Sequence, residues 1–241
     1  MYLYISHDEP HLQENIFVDA YRAVVQFIKK VIDYIAMLFN KNRRNVYILK
    51  KGAELYKKHL VDNAVPMNVL ITVPVQIDGL FADDSVLSNI VRRVDDVINE
   101  VLPSIDRNAE NFDNIKTDVL FDKFTDTSDL SLIGMVYSAA AKAKELHGKS
   151  VQIHAHVVGK AFDLAMPLIE HMYVKQMTQL VKYSKSLSRI VKNPKLTDEN
   201  LRQLQAIYGF LNDVVSLYDT IFNLTTLTVK QALKEIKGHR K

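Results

Sequence analysis

The sequence predicts an all-α, or nearly all-α, elongated helical bundle with a long C-terminal helical hairpin and one short extended segment near residues 65–78. Three observations predict it. The 241 residues include only seven glycines and six prolines, too few breakers for a sandwich of short strands and tight turns. Apolar residues recur at helical spacing through most of the chain, as in Phe27, Ile28, Val31, Ile32, Ile35, Leu38 and Phe39. Hydrophobic residues make up 48% and charged residues 24%, the balance of a chain that buries a core.

The first helix is expected from about Asn15 to Asn40, with Lys41, Arg43 and Arg44 past its end, where positive charge suits the helix dipole. A shorter helix, about Val46 to Leu60, follows and is weakened by Gly52. Residues 64–79 are rich in Val and Ile and hold Pro66 and Pro74. Proline excludes a helix interior and biases the residue before it to extended backbone. With no obvious partner strand, this segment is expected to cross over helices.

Asp83, Asp84 and Ser85 are capping residues for a helix through Val86, Leu87, Ile90, Val91, Val94, Val97, Ile98, Val101 and Leu102. Pro103 ends or kinks it, and a looser helical stretch runs on to about Phe124. Residues 125–131 form a soft boundary inside one domain spanning 1–241, because Thr, Asp and Ser there compete for backbone hydrogen bonds. A helix near Gly134–Leu146 comes next, and residues 147–150 break it.

One helix is then expected from Val151 to Val191, with Leu164, Leu168, Met172, Leu180, Leu187, Ile190 and Val191 toward the core. Asn193 and Pro194 stop it, and Thr197 or Asp198 caps the last helix, which Gly238 ends. That helix carries a heptad seam of Leu204, Ile207, Leu211, Val214, Tyr218 and Ile221, continued by Thr225 and Thr228. The short link makes the two long helices antiparallel neighbours.

Charge comes in blocks. Residues 29–58 hold nine basic and two acidic residues, a net of +7. Residues 78–130 hold thirteen acidic and five basic, a net of −8, and residues 131–241 hold sixteen basic and eight acidic, a net of +8. Such blocks can pair within the fold or between copies. Lys29, Lys30, Lys41, Arg43, Arg44, Lys50 and Lys51 form the candidate contact with an anionic partner.

Other chemistry is thin. With no cysteine there is no disulfide, thiolate ligand or Cys nucleophile. His154 and His156 could share a metal on a strand but not on the helix expected there. The carboxylate pairs Asp83–Asp84, Asp95–Asp96 and Asp126 with Asp129 suit polar helix faces and helix starts. No glycine-rich phosphate loop or nucleophile elbow is present. The N-terminal residues lack a signal peptide's basic and apolar regions, and no stretch reaches the roughly 20 apolar residues of a membrane span.

The order of segments carries a resemblance. FIKKVIDYIAMLFNKNRR is followed by VPMNVLITVPVQIDGLF and then by the acidic helix VLSNIVRRVDDVINEVLPSI. The terminal pair is MTQLVKYSKSLSRIVKNPK with LRQLQAIYGFLNDVVSLYDTIF. This layout is similar to virion structural proteins of large contractile-tailed bacteriophages, including ones packaged inside the head. The resemblance implies a structural, non-enzymatic role with no cofactor and no small-molecule substrate. It implies other virion proteins or copies of the chain as partners, with DNA phosphates as a non-specific contact. It also implies synthesis in the host cytoplasm and a place in the virion. It carries no site residues. Two other expectations stand beside it: a cytosolic module that engages a membrane surface or partner helix through residues 27–44, and a histidine-based metal enzyme.

Overall fold

The computed structural model describes residues 10–74, 85–107, 131–146, 149–192 and 196–238, with side chains from Val18 onward in the first helix. Helix α1, Pro10–Asp62, is 53 residues long, about 80 Å at 1.5 Å per residue. The break expected after Asn40 is absent. Asn42 is fully buried, and its side-chain amide donates to the Tyr173 hydroxyl at 3.3 Å and to Asp219 at 3.0 Å. Polar residues read as a helix end are therefore mid-helix. Gly52 does not interrupt α1 either; it lets another helix approach closely.

Strand β1, Leu70–Val73, pairs antiparallel with β2, Val151–His154, with Ile71 opposite Ile153 and Val73 opposite Val151. The sequence reading missed this partner and placed Val151 in a helix. A two-stranded ribbon is marginal alone. Here Ile71 and Val73 are buried, and the ribbon lies against the last helix.

Ser85 caps α2, Val86–Asp96, by accepting from the Ser88 backbone N–H at 3.1 Å. A π turn, Val97–Val101, follows, then α3, Leu102–Arg107. Pro103 therefore does not end the helix. The wider turn just before it bonds Leu102 N–H back to the Val97 carbonyl, so the backbone ladder is already opened where proline cannot donate. Helix α4, Leu132–Leu146, begins where the Ser131 hydroxyl accepts from Gly134 N–H at 3.0 Å.

The single helix expected over Val151–Val191 is instead several pieces. After β2 come α5, Ala155–Glu170, a second π turn, His171–Gln176, and α6, Met177–Leu187, then a short 3-10 turn, Ile190–Lys192. Leu164 is 43% exposed, contrary to expectation, whereas Leu168 packs against the core and Met172, Leu180, Leu187, Ile190 and Val191 are buried. The extra residue in the π turn shifts the phase of the apolar stripe, so a stripe drawn with constant spacing misplaces its first part.

Helix α7, Asp198–Gly238, has 41 residues. Thr197 caps it: its hydroxyl accepts from Asn200 N–H at 3.2 Å, and Asn200 Oδ1 accepts from Thr197 N–H at 3.0 Å, a reciprocal capping pair. The expected antiparallel hairpin is present. Tyr208 donates to the Ser184 carbonyl, Tyr218 donates to Gln176, and the Tyr173 and Phe222 rings lie 5.0 Å apart. Numbers fall along one helix as they rise along the other.

The more extensive neighbour of α7 is α1. Asn42 meets Asp219 and Gly52 meets Val229, so α1 and α7 run parallel. Helices α5 and α6 run against both, with Lys57 on Asp163, Lys50 on Glu170 at 3.0 Å, and the Tyr21 hydroxyl on the Val191 carbonyl at 3.0 Å. Helix α4 packs on α7 and α2. One hydrophobic cluster draws residues from every helix and from β1. The heptad residues Leu204, Ile207, Leu211, Val214, Tyr218, Ile221, Thr225 and Thr228 are all buried inside it.

Several expectations lie outside the described residues. They are the end of the extended segment at 75–79, the capping residues Asp83 and Asp84, the helical stretch toward Phe124, and boundary residues 125–130. Asp126 with Asp129, His147 with Gly148, the stop at Asn193 and Pro194, and the tail 239–241 also lie outside them.

Candidate functional site

Helix α1 has two working faces. The inner face is core: Ile28, Val31, Ile35, Leu38, Asn42, Val46, Leu49, Ala53, Tyr56 and Leu60 are all buried. On the opposite side, Met37, Lys41, Arg44, Ile48, Lys51, Leu55 and Lys58 recur in alternating steps of four and three and are exposed. The three apolar members are 55%, 59% and 41% exposed for Met37, Ile48 and Leu55. Tyr47, on the flank, is 60% exposed. Between Tyr34 and Val61 the one carboxylate in the sequence is Glu54.

The candidate cations separate according to the side of α1 they occupy. Lys50 turns toward α5 and pairs with Glu170, and that hydrogen bond and charge hold its ammonium above the ordinary lysine value. Lys41 sits at the edge of the outer face, 4.0 Å from Asp219. Arg43 stacks over the Phe39 ring at 5.6 Å. Lys51 lies over the Tyr47 ring at 4.6 Å, and Tyr47 raises its pKa. Arg44 is exposed in the middle of the outer face, and Lys29 and Lys30 are exposed nearer the start of α1. Lys58, counted in the basic block 29–58 but not among the seven candidate contacts, extends the row.

A second polar locus was not legible as a site. The two π turns lie side by side, flanking a hollow of about 510 Å³ whose lining includes Asp95, Asn99, His171, Lys175, Gln176 and Gln179. His171 Nε2 bonds Asp95 at 2.7 Å. The buried Gln176 amide donates to the other Asp95 oxygen at 2.9 Å and to the Val91 carbonyl at 2.7 Å, while its own oxygen accepts from Tyr218. Burial and the nearby Asp95 charge push the Tyr218 phenol well above its ordinary value. These groups satisfy one another and tie α2, the second π turn and α7 together. Gln176 at an otherwise apolar helical position is the sequence signal that could have found them.

The remaining histidines do other work. His154 ends β2 and His156 is the second residue of α5, where its Nε2 bonds the Val65 carbonyl at 2.9 Å. The two straddle a strand–helix junction, a case the sequence reading did not consider. Asp95 is engaged with His171 and Gln176, while its neighbour Asp96 is exposed. Among the described residues no three His, Asp or Glu side chains cluster as metal ligands. Among them also, no helix is long and apolar enough to cross a membrane. Compared with protein-family models, with curated proteins and with solved structures, the chain shows no significant match.

Proposed function

We propose that this chain is a non-enzymatic structural subunit that acts by helix-mediated contact with other proteins, in the setting its segment order resembles, a bacteriophage virion. The observation that carries the contact role is the pair of faces on α1. One face holds the core, and the other offers solvent a continuous row of aliphatic and cationic side chains. A stripe of exposed apolar residues edged by charge marks an interaction surface more often than an idle one. The buried seam on α7 supports a narrower view than sequence alone gave. Leu204 through Ile221 build the subunit itself, so contact between copies or with other virion proteins falls to α1.

The DNA-phosphate contact belongs to this proposal as a secondary, sequence-independent role for Lys29, Lys30, Arg43 and Arg44, all exposed on α1. Lysine-directed cross-linking of purified virions, read by mass spectrometry, tests the whole reading. Cross-links from Lys41, Lys51 or Lys58 to other chains are expected. Absence of the chain from particles, or cross-links confined to its own chain, overturns it.

A further inference from the structure

We infer that the outer face of α1 is one half of a heterotypic coiled coil, and that its occupant is an acidic amphipathic helix of a partner protein; this rests on the structural-subunit reading above. The spacing is the first ground. Met37, Lys41, Arg44, Ile48, Lys51, Leu55 and Lys58 follow the four–three alternation of a helix-pairing seam over three heptads. Lys41, Ile48 and Leu55 occupy the a positions, and Met37, Arg44, Lys51 and Lys58 the d positions.

The second ground is charge. Three of four d positions are cationic on an exposed seam, and an identical helix placed there would set like charge against like. A helix with Glu or Asp at d and Leu or Ile at a neutralises Arg44, Lys51 and Lys58 while covering Ile48 and Leu55. The buried inner face holds α1 straight and fixes the spacing before the partner arrives, which lowers the ordering cost of association.

The arrangement of side chains favours a helix over the two other anionic surfaces. A helix that lies on a membrane gathers its apolar residues into one sector with charge on the opposite side. Here cations and aliphatics alternate along one line. Phosphates would engage the cations but leave Met37, Ile48 and Leu55 exposed.

Fluorescence anisotropy of the full chain with a labelled three-heptad peptide, Glu at every d and Leu at every a, tests this. Binding is expected, with at least tenfold loss for the double variant Arg44→Glu/Lys51→Glu and a similar loss for Ile48→Ser/Leu55→Ser. These side chains are solvent-exposed, and circular dichroism confirms that each variant keeps its helix content. Lys234→Glu/Lys237→Glu, exposed on α7 and away from this face, is expected to change binding less than twofold. Equal binding of a peptide with Lys at d would overturn the inference. So would loss in the charge variant alone, accompanied by tighter binding to duplex DNA or phosphatidylserine vesicles than to the peptide. Failure of the peptide with the chain still cross-linked to neighbours in virions removes only this inference. Peptide binding by a chain absent from virions removes the virion reading and leaves the seam standing.

Discussion

Gly52 and Gly209 both stand inside long helices, yet a methyl group added to each meets different surroundings. At Gly52 it would come within 2.8 Å of Val229 Cγ1, a buried and branched neighbour, whereas at Gly209 nothing lies within 4 Å. Replacing glycine by alanine in a helix gains about 0.5–1 kcal/mol from propensity, and overpacking costs about 1–3 kcal/mol. Gly209→Ala is therefore expected to raise the denaturant midpoint and Gly52→Ala to lower it, both read by urea unfolding. Opposite signs are the point of the pair. Tyr218→Phe leaves the buried Gln176 oxygen without its donor, and a loss of roughly 1–3 kcal/mol is expected in the same measurement. The sequence marked Gly52 as a weak spot because propensity is local, while the space around a residue is set by a helix some 180 positions away.

At the scale of elements, the boundaries that were legible are those with a chemical signature. Ser85, one of three adjacent cap candidates, and Thr197, offered together with Asp198, are the residues that cap. Thr197→Ala is expected to cost about 1 kcal/mol by thermal or urea unfolding, since it leaves the Asn200 backbone N–H at the start of α7 without its acceptor. What was not legible is where a helical phase slips. Pro103 and Pro167 each lie within a few residues of a π turn. A constant period of 3.6 residues placed Leu164 inward when it faces solvent. The strand Val151–His154 was unreadable for a different reason. Four residues carry little period, and their identity as a strand depends on Leu70–Val73 being alongside. The outer seam of α1 was half legible. Its cations showed in the charge count, but their alternation with Met37, Ile48 and Leu55 emerges only once α1 is a single rod.

For the whole molecule, four buried phenols set a limit on the alkaline side. Burial raises the pKa of Tyr56, Tyr173, Tyr208 and Tyr218 above the ordinary value near 10. The folded state thus keeps protons that the unfolded chain releases. Stability from these groups is whole below about pH 10 and is lost as pH rises beyond it, by roughly 5 kcal/mol per pH unit if all four stay protonated. Absorbance near 295 nm is expected to show these tyrosines ionising together with the loss of helical circular dichroism. Their smooth ionisation around pH 10 in a still-folded chain would contradict their burial. The tyrosines link α1, α5, the second π turn and α7, so the transition is expected to be a single one.

The parallel course of α1 and α7 has a mechanical consequence. The start of α1 and the end of α7 lie at opposite ends of the bundle, because Asn42 meets Asp219 and Gly52 meets Val229 in the same order. Tension between those ends would slide the two helices past each other along their whole shared length, with every contact loaded at once. Antiparallel neighbours pulled from adjacent ends would instead peel apart one turn at a time. A strut built this way resists being drawn out lengthwise.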